Sequence, residues 1–512
     1  MNARRLILNR LTILIIAAIV EVGIIVSLIM WFDDIAAWVE IVFRVLSLLV
    51  VLYIVYTSKH LSASIIWIII IVALPLPGTF VYLLLGANSF TSGTFKSVST
   101  STNNAKKYYV QDETVIDELQ DDPIELIGQF RYISRSAGFP IYRNEGFDYY
   151  KFGELGFPMM LEELKKAEKF IFLEYFIIEQ GQMWDTILGI LEEKAAQGVD
   201  VRVMYDDFGS MFTLSPRYSK ELEKKGIKCV TFNKVNPILS VIINHRDHRK
   251  IMVIDGKVAF SGGINLADEY INVKEKYGRW KDNVIRIKGE AVWSYTVMFL
   301  THWNAIRKED DDYTVFKVDF DALEDGTDRK VDGYIAPYGE TPLDDEWTSQ
   351  DIYLSIINRS MNYCYIFTPY LIIDTDMINA LILAAKSGVD VRIVTPGVPD
   401  KKIVYSITRS YYKQLLLGGV KIYEYTPGFI HAKVFVSDDR VATVGTINLD
   451  YRSLYLHFEN GTYLYDCSEI DTIRQDAVDT IAESREVKLS DTKAGMFKQL
   501  WLSLLRLVAP QL

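Results

Sequence analysis

The sequence predicts an α/β protein of two similar lobes related by a pseudo-two-fold axis, preceded by N-terminal transmembrane helices. Three observations carry this: apolar segments long enough to cross a bilayer near the N-terminus, a strand-helix-strand pattern that occurs twice in the remainder, and a His-x-Lys hairpin in each copy.

Half of the 512 residues are apolar and mean hydropathy is +0.11, which is high for a soluble enzyme. The excess lies in Leu11–Trp31, Ile35–Tyr56 and Ile65–Leu85, each about as long as a hydrocarbon core is thick when helical. Three such segments in succession do not fit a cleavable signal peptide. Glu21 lies mid-span in the first, where a carboxylate serves either a helix-helix hydrogen bond or a function. Glu40 and Arg44, spaced i, i+4 in the second, can neutralise each other on one helix face. The third contains "LPLPG", Leu74 to Gly78, whose prolines interrupt a helix, so it either spans or re-enters. Arg4, Arg5 and Arg10 favour a cytoplasmic N-terminus. Three full spans would then place the rest of the chain outside, and a re-entrant third segment would keep it inside. Residues 1–87 are therefore expected to form a multi-pass anchor in the cell membrane, followed by a linker over 88–124 that opens with the polar stretch Asn88–Asn104.

The duplicated pattern follows, with lobes expected over 125–335 and 336–512. In the first, Phe170–Ile178 reads as a buried strand, Trp184–Ala196 as a helix capped by Gly198, and Val199–Tyr205 as the next strand. In the second, Cys364–Ile373, a helix ending in "AAKSG" and Val389–Val394 repeat it, and "GVDVR" starts at both Gly198 and Gly388. Strand-helix-strand with short connections implies a right-handed crossover and parallel pairing.

Each copy also carries a hairpin. Lys250 to Ile254 forms a β-type run closing on Asp255-Gly256, a strong turn dipeptide. Residues i and i+2 of a strand share a face, so His248 and Lys250 should project together, while Asp255 sits at the turn and acts mainly on backbone or neighbouring side chains. His431, Lys433 and Asp438 repeat the spacing. Gly262 and Asn265 follow His248 at the offsets at which Gly445 and Asn448 follow His431.

Two histidines and two lysines facing one cleft suit phosphoryl-type transfer. Lys250 and Lys433, with the amides of Asn265 and Asn448, can clamp an anionic phosphodiester. One histidine can attack phosphorus while the other exchanges protons with the alcohols. This double displacement requires no metal, and protonated lysines would repel one. Each histidine needs a partner on its other ring nitrogen. Asp282 and Glu459, each downstream of the histidine in its own half and in comparable strand contexts, are the expected orienters. His245 and His457 read as structural or cleft-lining, and His302 carries no motif. The net charge of −11 disfavours a general nucleic-acid binder. Cys229, Cys364 and Cys467 show neither a disulfide framework nor metal-ligand spacing.

His248-x-Lys250-x4-Asp255 and His431-x-Lys433-x4-Asp438, each followed by its Gly/Asn element, resemble the paired HKD motifs of the phospholipase D superfamily. "VAFSGGINLADEY", "FTPYLIIDTDM", "GVKIYEYTPGFIHAK" and "TVGTINLDYRSLYLHFEN", behind apolar segments with a Pro/Gly break and "VYLLLG", are similar to the bacterial cardiolipin synthase family. The resemblance runs from about Ile65 to the C-terminus and leaves Leu11–Trp31 as an addition. It implies two phospholipase D-like lobes in which both triads, Asp255 and Asp438 included, are catalytic. It implies transfer of a phosphatidyl group between two phosphatidylglycerols without nucleotide or metal, with His248 as nucleophile and His431 as general acid/base. Membrane lipid is then the partner. Hydrolysis by water is the competing outcome, since motifs do not reveal the acceptor. The C-terminal Met496–Leu512, with Trp501, Lys498 and Arg506, reads either as a helix on the lipid interface or as one packed on the core.

Overall fold

The computed structural model describes residues 33–58, 61–83, 93–120, 124–234, 245–320 and 331–511, with Gly23, Ser27 and Ala322. The expected span Leu11–Trp31 and its Glu21 lie outside the described residues apart from Gly23 and Ser27. Two compact units are present, residues 1–91 and 92–510.

In the first unit, Asp33–Thr57 is a helix of 25 residues. At 1.5 Å per residue it is about 37 Å long, enough for a hydrocarbon core of roughly 30 Å. Residues 40–57 are the one stretch of described helix long and apolar enough to cross a membrane. Its Val, Leu and Tyr side chains are exposed around the helix, among them Val45, Leu49, Leu52 and Tyr56. Arg44 and Glu40 pair at 2.6 Å, as their spacing predicts.

The third apolar segment does not form one spanning helix. Leu61–Ala73 has 13 residues, Leu74 leaves helical geometry and Pro75–Val81 begins a second helix. A Cβ at Gly78 would lie 2.5 Å from the carbonyl oxygen of Ile70, so the chain doubles back at the Leu-Pro pair and only glycine fits the crossing. At the break the Pro75 carbonyl accepts from Ser47 Oγ at 2.8 Å and Thr79 Oγ1 at 2.6 Å. Satisfying such groups internally is what a lipid environment demands.

The second unit holds two mixed sheets. One orders its seven strands as 147–150, 284–288, 258–262, 250–254, 170–175, 200–206, 228–232. The other has nine strands, and its inner seven run 334–340, 459–465, 441–445, 434–437, 363–367, 390–396, 421–425. The same order therefore occurs twice. Parallel pairing of 170–175 with 200–206 and of 363–367 with 390–396 matches the crossover reading. Gly198 and Gly388 take φ of 90° and 101° at the helix ends, where an L side chain would be strained. "CYIFTPYLII" breaks into Tyr363–Phe367 and Leu371–Ile372, because Pro369 cannot donate to a ladder.

Two sequence expectations about boundaries are corrected. The polar stretch after Asn88 is not a linker throughout: Gly93–Ala105 is a helix that buries Phe95 and Val98 and bonds through Ser97 and Ser101 to carbonyls of Ala305 and Thr301. Its serines and threonines read as loop, yet they satisfy a neighbouring helix. The limit at 335 cuts strand Tyr334–Glu340, which pairs with Tyr142–Arg143 of the preceding half. The halves interlock in one core, with Tyr149 Oη donating to Asp476 and Lys281 Nζ bonding the same carboxylate. Finally, helix Met496–Val508 combines both expectations: Leu505 is buried and Arg506 lies over the Tyr411 ring, while Phe497, Leu500, Trp501 and Leu504 are exposed.

Candidate active site

Each histidine stands just before a strand, which Lys250 opens in the first half and Lys433 directly precedes in the second, and its backbone is tied to the other half. His248 N donates to the Phe458 carbonyl at 2.8 Å, and His431 N to the Lys281 carbonyl at 2.7 Å. The next residue in each case is a carboxylate. Glu459 Oε2 lies 2.8 Å from His248 Nδ1 and Asp282 Oδ2 lies 2.6 Å from His431 Nδ1.

The expected orienters are thus the observed ones, but exchanged: each carboxylate serves the histidine of the opposite half. Spacing along one copy could not reveal this, because parallel bridging between Asp247 and Phe458, and between Ile430 and Lys281, brings the halves into register. Both carboxylates are fully buried. Thr446 Oγ1 also donates to Glu459 Oε2 and the Asn283 amide to Asp282 Oδ1. Burial alone would raise the Asp282 carboxyl, and His431 and Lys433 outweigh it, so it lies below the usual range.

Burial, then Lys250 and Lys433, hold His248 well below the ordinary imidazole range. Burial, then Lys433, lowers His431 to about 4. Both rings are neutral at pH 7, with Nδ1 facing a carboxylate and Nε2 left for the cleft. The lysines are buried too. Lys250 Nζ donates to the His248 carbonyl at 2.7 Å, and Lys433 Nζ to that of His431 while lying 2.9 Å from its Nδ1. Burial depresses Lys250 to about 7 and Lys433 to about 8.

The asparagines stand at the cleft with part of their capacity in use. Asn265 Nδ2 donates to Tyr270 Oη at 2.7 Å while its oxygen accepts from the Ile177 amide at 3.0 Å. Asn448 Nδ2 donates to Ser453 Oγ at 3.1 Å, and its buried oxygen has no partner. One amide hydrogen remains on each.

Asp255 and Asp438 do not join the histidines, and their place among the catalytic residues is corrected. Asp255 accepts from the backbone amides of Glu168, Lys169 and Phe170, and Asp438 from those of Met361, Asn362 and Tyr363, at 2.6–2.9 Å. Each sits at the hairpin turn with φ near 54° and ties it to the start of the neighbouring strand.

Several cleft residues carry no motif. Phe176 lies 5.0 Å and His457 5.8 Å, centroid to centroid, from the His248 ring. Tyr270, Trp280 and Phe429 lie 5.4–5.9 Å from His431. The signal available was that Trp280 and His457 each precede an orienting carboxylate by two. His245 is structural, bonding the Leu456 carbonyl and packing on Phe95. His302 joins Glu174 and Asp247 in a buried cluster behind His248. His248, His457 and Glu459, and separately Glu174, Asp247 and His302, bring ligand-type atoms within 4.8 Å of one another. Lys250 beside the first group and Arg249, 3.9 Å from Glu174, would oppose a cation.

A family model described as the cardiolipin synthase, phospholipase D-like domain matches residues 160–303 and 353–478, the stretches that contain both hairpins. The chain belongs to the cardiolipin synthase family. A cardiolipin synthase of Halalkalibacterium halodurans is 32% identical over 98% of this chain and all of its own length, and cardiolipin synthase 2 of Bacillus anthracis is 34% identical over 92% and 91%. An uncharacterized protein of Streptococcus mutans is 44% identical over 90% of this chain. Among solved structures, a phosphatidylserine synthase of Haemophilus influenzae superposes on 75% of this chain and 99% of its own with a TM-score of 0.56 at 15% identity, a likeness of fold.

Proposed function

We propose that this member of the family is an active cardiolipin synthase that moves the phosphatidyl group of one phosphatidylglycerol onto the free hydroxyl of a second, releasing glycerol. The observation that carries the reading is the reciprocal site: two neutral histidines, each oriented by a buried carboxylate of the opposite half, converging with two buried lysines.

In the first step the bound phosphodiester's charge draws a proton from solvent onto Nε2 of one histidine; Nε2 of the other bonds to phosphorus as the phosphorus-glycerol bond breaks, and the protonated histidine gives its proton to the departing alkoxide. The phosphodiester's charge draws protons onto Lys250 and Lys433, whose ammonium groups, with the amides of Asn265 and Asn448, balance the equatorial oxygens. In the second step the hydroxyl of the second lipid loses its proton to the histidine that served as acid, and its oxygen replaces the histidine on phosphorus. Glu459 and Asp282 stabilise whichever ring becomes cationic. The recurring strand order supports two lobes about a pseudo-two-fold axis. The reading includes a multi-pass anchor in the cell membrane, of which Asp33–Thr57 supplies the described spanning helix. The chemistry calls on no nucleotide or metal.

The test is the product made by purified protein in phosphatidylglycerol vesicles. Cardiolipin and glycerol in equal amounts are expected; phosphatidic acid with glycerol would make the protein a phospholipase D. His248→Ala and His431→Ala should each abolish turnover, and only the variant lacking the nucleophile should fail to trap a radiolabelled phosphatidyl group. Turnover by both variants would end the proposal.

A further inference from the structure

The catalytic groups stand at the carboxyl ends of the parallel strands, the end at which open α/β sheets bind ligands. Lys250 pairs with Tyr175, the last residue of strand 170–175, and Val434, just after Lys433, pairs with Phe367, the last of strand 363–367. At the same end the neighbouring parallel strands, 200–206 and 390–396, each run into a turn. Asp200 and Asp390 hold the same place in the two sheets, which makes Met211 and Phe212 of the first turn equivalent to Lys401 and Lys402 of the second. We propose that turns 207–213 and 397–403 form the two sides of a rim that seats the mouth of the site on an anionic phospholipid bilayer, with Met211 and Phe212 entering the acyl boundary and Lys401 and Lys402 meeting the headgroups. The proposal deepens the transferase reading and takes its substrate from it.

The first turn is held against the site. Gly209 packs so closely that a Cβ there would lie 2.2 Å from the Phe176 carbonyl oxygen, and the Phe176 ring lies 5.0 Å from that of His248. Ser210 Oγ accepts from the Ile178 amide at 3.1 Å, and Thr213 Oγ1 donates to the Ile178 carbonyl at 2.6 Å. Asp206 ties the turn to the residue before His248: one oxygen accepts from the amides of Phe208 and Gly209, the other from that of Asp247. Phe212 is nonetheless 68% exposed and Met211 40%. The bonds that fix the turn hold both side chains out from the core.

The second turn rests on Tyr370, the equivalent of Ile177, whose amide bonds Asn265. Tyr370 Oη donates to Asp400 Oδ2 at 2.5 Å, and the amides of Gly397 and Val398 donate to the carbonyls of Tyr425 and Gly428. Lys401 and Lys402 are exposed, Lys401 Nζ standing 5.6 Å over the Tyr370 ring, and Ile403 beside them is 58% exposed.

A bilayer accounts for both sides. A phospholipid keeps its acyl chains in the membrane while its phosphodiester reaches the histidines, so the ground around the cleft must lie against lipid. Large apolar side chains next to lysines suit a surface of anionic headgroups, which phosphatidylglycerol provides. The same chain carries a helix long and apolar enough to cross that bilayer.

The experiment uses the full-length protein in vesicles. Cys229, Cys364 and Cys467 are buried, so Phe212→Cys takes an environment-sensitive fluorophore at that position, and Lys169→Cys, at the amino end of strand 170–175, is the control. In phosphatidylglycerol vesicles the label at 212 should shift to the blue and be quenched by chain-brominated lipid, and the label at 169 should do neither. Glycerol release is then measured from vesicle phosphatidylglycerol and from monomeric short-chain phosphatidylglycerol offered to the same protein in phosphatidylcholine vesicles. Met211→Gln with Phe212→Gln should lower the vesicle-to-monomer ratio about 10-fold, roughly what burying one large apolar side chain is worth, and Met211→Leu with Phe212→Leu should retain it. Lys401→Gln with Lys402→Gln should lower it about 10-fold at low salt and less as salt screens the surface. A label at 212 that lipid neither shifts nor quenches, a shift that follows protein concentration in detergent and so reports a second copy, or a ratio unchanged in the glutamine variants would overturn the rim. Wild type that releases glycerol and leaves phosphatidic acid would overturn the transferase reading, while the ratio and the label still decide on the rim.

Discussion

Replacing Asp282 by asparagine removes a charge from the site while keeping its shape. The carboxylate is fully buried, and both oxygens accept: Oδ2 from His431 Nδ1 at 2.6 Å and Trp280 Nε1 at 3.4 Å, Oδ1 from the Asn283 amide at 2.9 Å. An asparagine must set its NH2 against one of these donors. Turned toward Asn283, it opposes a fixed backbone N–H and leaves a neutral oxygen to hold the His431 ring, at a cost of about 1.5–2 kcal/mol when a charge-assisted bond becomes a neutral one. Turned toward His431, it donates to Nδ1 and forces the proton onto Nε2, the nitrogen that must exchange it; in a serine-protease triad the wrong histidine tautomer costs about 10⁴-fold. Between these limits kcat should fall about 10²- to 10³-fold. KM should stay within about twofold, because Asp282 acts through the ring. Glycerol release from phosphatidylglycerol vesicles measures both constants, and thermal unfolding controls for the fold. A kcat within about threefold of wild type, or a loss confined to KM, would refute the orienting role.

Asp255→Ala and Asp438→Ala each strip three backbone amides of their acceptor and should cost about 3 kcal/mol of stability, measured by urea unfolding, with kcat of the folded fraction kept; a large loss of kcat at unchanged stability would return these aspartates to the catalytic residues. The lysines set the pH dependence. Lys250 and Lys433 are half-charged near pH 7 and 8 in the free enzyme, and a bound phosphate favours the charged form, so binding takes up protons wherever a lysine was neutral. KM for phosphatidylglycerol should accordingly be flat below pH 7 and rise by up to about tenfold per pH unit per lysine above their pKa values; a flat KM to pH 9 would sink the buried clamp.

Much of the site was legible because it is local. The His-x-Lys spacing, the Asp-Gly turn and the Gly/Asn offsets each act over a single hairpin, and two copies make the pattern specific. Strand parity set Asp255 apart from the histidine and left it backbone or neighbouring side chains to act on; the structure gives it three backbone amides, although the family motif counts it as catalytic. What escaped depends on distant register. Asp282 and Glu459 were recognisable as candidate orienters in comparable strand contexts, but their burial and which histidine each serves follow from bridges that join residues about 150 and 210 apart. Helix Gly93–Ala105 escaped because its Ser, Thr and Asn composition suits loops, whereas here Ser97 and Ser101 bond the facing helix. The hairpin after Ala73 was half legible: the prolines announce a break, and only the approach of Gly78 to Ile70 distinguishes a reversal from a kink.

The exchange of carboxylates explains how a duplicated fold can carry an asymmetric reaction. If each half oriented its own histidine, the two rings would share one environment and little would separate attack on phosphorus from proton transfer. With the pairs crossed, the segment that supplies a carboxylate also supplies the residue two positions earlier to the opposite half. His457 arrives beside His248 with Glu459, and Trp280 arrives beside His431 with Asp282. A substitution in one copy therefore changes the surroundings of the other copy's histidine and leaves the strand order intact. His457 at one end and Trp280 at the other are differences of this kind. They give two chemically equivalent histidines unequal neighbours, which a reaction that distinguishes donor from acceptor requires.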